Sequence, residues 1–170
     1  MKSKKNLVFL GMMGSGKSSI GSLIAKKLLL NFIDIDNVIE NELGLSIKKI
    51  FEIKGENYFR KFEKKTTLKK LKSSSTVISL GGGAFSNKEI RKEVIKNHIS
   101  FWLNWSNDIL LNRIKNSKKR PLAFNSSENE IIDLIKKRSN IYSKALYKIE
   151  CDNLTKKEIV KEILKIYETH

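Results

Sequence analysis

The sequence predicts an α/β fold, a parallel β-sheet with helices packed on both faces. Three observations predict it. Short apolar runs alternate with longer segments of helical periodicity along all 170 residues. A glycine-rich turn separates the first apolar run from the first helical segment. Glycines or carboxylates close three of the runs, as expected where strands end at a ligand-binding edge. There is no internal repeat and no linker, so residues 1–170 read as one domain.

The elements follow in order. Lys4 to Leu10 reads as a short buried strand. Lys17 to Leu30 carries Ile20, Leu23, Ile24, Ala25 and Leu28 at helical spacing. Phe32 to Asp36 is a second strand ending in carboxylates. Ser46 to Leu71 is long, charged and helical, with Gly55 interrupting it. Thr76 to Leu80 is a strand stopped by Gly81-Gly82-Gly83. Lys88 to Lys96 is a helix, Ile99 to Leu103 a strand and Asn107 to Lys115 a helix. Asn116 to Glu128 is polar, holds the single proline Pro121 and reads as an exposed loop. Ile131 to Leu146 is helical and Tyr147 to Cys151 is the last strand. Thr155 caps a final helix, with Glu158 in capping-box position.

Composition excludes several classes. Cys151 is the single cysteine, which rules out an internal disulfide framework and offers no zinc pattern. His98 and His170 are isolated and do not read as halves of a metal site. No apolar stretch approaches the ~20 residues of a membrane span. The apolar run Asn6 to Leu10 is too short for a signal-peptide core. A cytoplasmic protein is expected. The net charge of +16 raises the question of nucleic acid. The lysines are scattered at helical spacings instead of forming a block, and no nucleic-acid module is recognisable. A solvated lysine-rich surface is the favoured reading. Of the 34 basic residues five are arginine: Arg60, Arg91, Arg113, Arg120 and Arg138. Arginine grips carboxylate or phosphate bidentately, so each is a candidate anion-binding side chain.

Gly11-Met12-Met13-Gly14-Ser15-Gly16-Lys17-Ser18 matches the phosphate-loop pattern G-x-x-x-x-G-K-S/T, with a strand before it and a helix after it. Its glycines let backbone N–H groups turn toward phosphate oxygens, and the helix N-terminus faces the same anion. Lys17 is placed to reach the β- and γ-phosphates of ATP, and the Ser18 hydroxyl to ligate Mg²⁺. Nucleotide binding follows, but not the identity of the acceptor.

On the acceptor side, Asp34 and Asp36 are two residues apart at a strand end, where alternation puts both on one face. One could help hold Mg²⁺ and the other could take the proton of an attacking hydroxyl. A turn in which the pair caps a following helix explains the spacing equally well. The triplet Gly81-Gly82-Gly83 permits close approach of backbone to a ligand. Lys118-Lys119-Arg120-Pro121 is a basic loop of the kind that closes over ATP.

Together these residues resemble the shikimate kinase family. Gly11 to Ser18 with Ser19-Ile20-Gly21 is similar to its opening, as are Asp34-Ile35-Asp36 and the segment from Gly55-Glu56 through Phe59-Arg60 to Glu63. Leu80-Gly81-Gly82-Gly83-Ala84, Arg120-Pro121-Leu122 and Arg138 with Tyr142 follow in the family's order. The resemblance covers about Val8 to Tyr142. It implies a P-loop kinase three-layer sandwich of the nucleoside-monophosphate-kinase type. That fold has a five-stranded parallel sheet flanked by helices, a substrate-binding helical segment over about 36–63 and a lid loop over about 113–126.

It also implies roles. Asp36, Arg60, Gly82 and Arg138 would bind shikimate, the two arginines clamping its carboxylate. Asp36 would hold the acceptor hydroxyl as the candidate base, and Asp34 would sit near Mg²⁺. Gly14, Ser15, Gly16, Lys17, Ser18 and Ser19 would cradle ATP. Arg120 would touch the phosphates from the lid, and Arg113 would lie beside the adenine. Asp36, Lys17 and Arg120 would be the catalytic set. The reaction implied is ATP-dependent phosphorylation of the shikimate 3-hydroxyl. A monomer with shikimate as its small-molecule partner, and with neither nucleic acid nor membrane involved, is expected. Ser19 and Ala123 depart from the family's usual threonine and leucine. The competing readings are another small-metabolite kinase, such as a gluconate kinase, and a nucleic-acid-binding protein switched by ATP.

Overall fold

A computed structural model describes residues 5–116 and 126–169. Five strands form one parallel sheet in the order β2-β3-β1-β4-β5. They are β1 (Leu7–Leu10), β2 (Asn31–Asp34), β3 (Thr76–Ser79), β4 (Ile99–Asn104) and β5 (Tyr147–Glu150). Among the described residues seven α-helices connect or flank them: α1 (Lys17–Leu28), α2 (Ile35–Leu43), α3 (Ile47–Leu71), α4 (Lys88–Asn97), α5 (Asn107–Lys115), α6 (Glu128–Tyr142) and α7 (Lys156–Glu168).

The order follows from burial. Leu7, Val8, Phe9 and Leu10 are all buried, on both faces of β1, which a strand tolerates only in the middle of a covered sheet. β1 pairs with β3 through Leu7–Val77 and with β4 through Leu7–Ile99. Asn6, also buried, secures the start of this centre: its Nδ2 donates to the Leu71 and Ser73 carbonyls, and its Oδ1 accepts from the Thr76 amide. Because β1, β2 and β3 are parallel neighbours, their carboxyl ends share one edge. The phosphate-loop sequence, the Asp34–Asp36 pair and the glycine triplet follow those three ends. Topology alone therefore brings them together.

All five expected strands are present. Two expectations need correction. The second strand ends at Asp34 and not at Asp36, because the Asp34 carboxylate caps a helix, accepting from the Asp36 and Asn37 amides. That helix, α2, was not anticipated, and Asp36 stands in its first turn. The two carboxylates therefore do not alternate along one strand. The helix expected over Ile131 to Leu146 instead spans Glu128–Tyr142. A capping box of Ser127 and Glu130 starts it early, and the Leu146 amide is already bonded to the Ser100 hydroxyl as the chain enters β5. The long helix α3 is kinked at Gly55, whose φ of 80° and ψ of 164° leave the helical region. The expected lid, over about 113–126, lies mostly outside the described residues.

Candidate active site

The phosphate loop bends over the end of β1. Gly11 has φ 144°, and a Cβ there would lie 2.9 Å from the Leu103 carbonyl oxygen, so no larger residue fits. Gly16 is the N-cap of α1 and supplies no side-chain acceptor, leaving the first amides of that helix to an external anion. Lys17 is buried, and its Nζ donates to the carbonyls of Gly11 at 2.9 Å and Met12 at 3.0 Å. The Ser18 hydroxyl donates to the Asp34 carboxylate.

A cavity of about 430 Å³ opens in front of this loop. Gly14, Gly16, Lys17, Ser18 and Ser19 line it from the nucleotide side, and Asp34, Asp36, Arg60, Glu63, Gly82 and Arg138 from the other. Phe51 and Phe59 supply an apolar wall. The structure thus brings together every expected site residue except three. Ser15 is fully buried with its side chain turned inward, and its amide donates to the Met12 carbonyl. Arg113 lies behind the loop, donating to the Gly14 carbonyl at 3.2 Å. Arg120 lies outside the described residues.

Asp36 is partly buried beside Asp34 and Glu63. Burial foremost, then the charges of Asp34 and Glu63, pushes its pKa up to about 6, with Lys17 pulling the other way. Glu63 is 3% exposed. Burial raises its pKa, and the Arg60 guanidinium offsets part of that rise. Arg60 binds Glu63 at 2.7 Å and Glu56 at 3.2 Å. Burial works against its charge, but the two glutamates outweigh it and raise its pKa.

Arg138 is different. It is 6% exposed, and no carboxylate lies within 4.0 Å of it among the described residues. Its Nη1 faces the Met12 sulfur at 3.6 Å. The Glu63 carboxylate acts on Arg138 only from beyond 4.0 Å, and an anion entering the cavity would supply a direct partner for the buried guanidinium.

The glycine triplet is the floor between these groups. A Cβ on Gly81 would lie 2.6 Å from Glu63 Oε1 and 2.7 Å from Asp36 Oδ1. One on Gly83 would lie 2.5 Å from Arg60 Nη1. Gly82 faces Arg138 Nη1 at 3.5 Å by the same measure. The Tyr142 hydroxyl donates to the Gly82 carbonyl, and burial pushes this phenol up to about 12, so it stays neutral.

The donor set fits ATP and Mg²⁺. A helix N-terminus and a buried ammonium that reaches the Gly11 and Met12 carbonyls suit a polyphosphate. Ser18 and Asp34 offer hard oxygen ligands. No group of three His, Cys, Asp or Glu side chains is arranged to hold a metal ion by itself among the described residues, so Mg²⁺ would depend on the nucleotide's own oxygens to complete its shell.

Comparison with known proteins agrees with this geometry. The family model "Shikimate kinase" matches residues 13–168. The chain belongs to the shikimate kinase family. A shikimate kinase of Sulfurihydrogenibium sp. is 41% identical over 160 residues, covering 94% of this chain and 96% of the relative. The structure of a shikimate kinase from Acinetobacter baumannii in complex with shikimate superposes with a TM-score of 0.91 at 30% identity, covering 97% of this chain and 93% of that one. A gluconokinase from Sinorhizobium meliloti reaches a TM-score of 0.59 at 17% identity over 99% of this chain and 94% of its own, a likeness of fold alone. ATP-dependent transfer of phosphate to an alcohol goes with membership of the shikimate kinase family. Among the described residues no helix is long and apolar enough to cross a membrane.

Sequence reasoning passed over several side chains of this shikimate kinase site. Glu63 was quoted in the family segment but given no role. Its spacing of three residues from Arg60 on one helix was the available signal. Phe51, Phe59 and Trp105 carry no assigned site role in the sequence, where aromatic residues in helices and at strand ends are indistinguishable from core.

Proposed function

We propose that this chain transfers the γ-phosphoryl group of ATP to the 3-hydroxyl of shikimate, with the loop side of the cavity holding the donor and the Asp36–Arg138 side holding the acceptor. The observation that carries this reading is Arg138, a buried guanidinium with no carboxylate within 4.0 Å among the described residues, opening into the same cavity as Lys17 and Asp36.

The roles follow from the chemistry of each group. Arg138 receives the shikimate carboxylate, joined by Arg60, whose fork Glu56 and Glu63 already hold in orientation. The Gly82 backbone and the Phe51–Phe59 wall define the space left for the ring. Asp36 accepts the proton of the 3-hydroxyl as the oxygen attacks phosphorus. Its elevated pKa suits a group that must hold a proton briefly near neutral pH. Lys17 exchanges its carbonyl partners for phosphate oxygens and balances charge on the transferring group. Gly14, Gly16, Ser18 and Ser19 orient the polyphosphate. Mg²⁺ would be held by Ser18 and Asp34, and when bound it neutralises phosphate charge. From the sequence, Arg113 serves the adenine side, and Arg120, in the lid over about 113–126, completes the catalytic set. The helical segment over about 36–63 forms the acceptor side. A monomer has all these residues on one chain.

A coupled ADP-release assay tests the proposal across shikimate, gluconate and buffer alone. ADP formation that depends on shikimate, with shikimate 3-phosphate as product, is expected. A rate with gluconate and none with shikimate would overturn it.

A further inference from the structure

Trp105 follows directly on β4 and is 9% exposed. Its indole Nε1–H donates to the Ser15 carbonyl at 2.9 Å, a contact buried inside the molecule. Arg113, on α5, lays its guanidinium over the same ring, with Cζ 3.8 Å from the ring centroid. Arg113 Nη1 then donates to the Gly14 carbonyl at 3.2 Å. Two consecutive carbonyls of the phosphate loop thus each accept a hydrogen bond from one member of a stacked Trp–Arg pair.

That arrangement bears on the opposite side of the loop. A trans peptide directs its N–H away from its C=O. Holding the Ser15 carbonyl toward Trp105 therefore turns the Gly16 N–H the other way, and Gly16 lines the cavity. Gly16 has φ 88° and, having no side chain, cannot fix its own peptide by packing. The Ser15 amide bond to the Met12 carbonyl and the Ile20 amide bond to the Gly16 carbonyl hold the flanking peptides, and the Trp105 hydrogen bond holds this one.

We propose that Trp105 is a positioning residue of the nucleotide half-site. Its N–H orients the Ser15–Gly16 peptide so that the Gly16 amide faces the phosphates, and its ring holds the Arg113 guanidinium flat for the base. The second part rests on reading Arg113 as the adenine-side residue; the first does not.

The test uses the full chain and three variants, Trp105→Phe, Trp105→Leu and Arg113→Ala. Each is measured for the KM of both substrates, for melting temperature and for indole emission during ADP titration. Trp105→Phe keeps an aromatic face but loses the N–H, and the KM for ATP rises about 3–10-fold while the KM for shikimate stays within about twofold. Trp105→Leu loses both and exceeds that rise. Emission of the unmodified chain responds to ADP, and Trp105→Phe, left with Trp102, lacks the response. An unchanged ATP KM in Trp105→Phe overturns the proposal. So does an equal rise in both KM values with a lowered melting temperature, which marks a merely structural role. If Arg113→Ala leaves the ATP KM unchanged while Trp105→Phe raises it, the peptide-orienting role stands and the adenine reading of Arg113 fails.

Discussion

Asp36 and Arg138 illustrate how single side chains acquire function from burial. The Asp36 carboxyl is pushed up to about 6 chiefly by burial. As a base it must be ionised, so kcat/KM should climb as pH rises through about 6 and level off above it; a pH profile in which activity is flat from 5 to 8 would remove Asp36 from that role. The same shift acts on folding with a definite sign. The folded state binds this proton more tightly than the unfolded chain does. Asp36 therefore contributes stability below about pH 4 that is lost as pH rises through about 6. Arg138 meets no carboxylate within 4.0 Å among the described residues, which leaves it available to a bidentate anion. Arg138→Lys keeps the charge but loses the fork. It should raise the shikimate KM about tenfold or more while the ATP KM holds, measured by steady-state kinetics. The residue types at this site were legible in the sequence because so few arginines compete for attention. Which arginine is paired was not legible. The Arg60–Glu63 pair follows from the i, i+3 spacing on α3, while the isolation of Arg138 depends on how α6 packs against the glycine triplet.

Among the elements, the turn after β3 shows how backbone geometry sets the site. Gly81 and Gly83 leave room for Asp36, Glu63 and Arg60 to lie against the main chain. A methyl at Gly83 would meet Arg60 Nη1 at 2.5 Å, the far end of a flexible side chain. The cost falls on the guanidinium's placement more than on the fold. Gly83→Ala should thus melt within a few degrees of the unmodified chain yet bind shikimate several-fold more weakly; calorimetric titration beside a melting curve separates the two. The sequence showed that this triplet lies at a strand end, but it could not show which side chains press on it. Helix α2 is the converse case. Its Asp34 cap, the Ile35–Ile39–Leu43 spacing and the closing Gly44 were all present as signals. The spacing of the Asp pair alone does not choose between a strand end and a helix cap. The helix-capping alternative for that pair proves to be the geometry of Asp34, without removing either carboxylate from the cavity.

At the scale of the whole molecule, the parallel order β2-β3-β1-β4-β5 assembles the site by gathering three strand ends on one edge. Alternating strands and helices made that architecture readable, and the phosphate loop fixed which edge matters. The net charge of +16 adds a long-range field. It should draw ATP toward the cavity, so kcat/KM for ATP should fall as salt rises from about 20 to 200 mM while kcat changes little. On the proposed function, one cavity aligns the nucleotide's phosphate with a hydroxyl held by Asp36. The most direct test of that alignment compares Asp36→Asn with the unmodified chain, measuring kcat beside the affinities for ADP and shikimate. In Asp36→Asn, kcat should fall at least about 100-fold while ADP affinity stays within a few-fold and neutral-pH stability rises by on the order of 1–3 kcal/mol. Turnover by Asp36→Asn at the unmodified rate would contradict it.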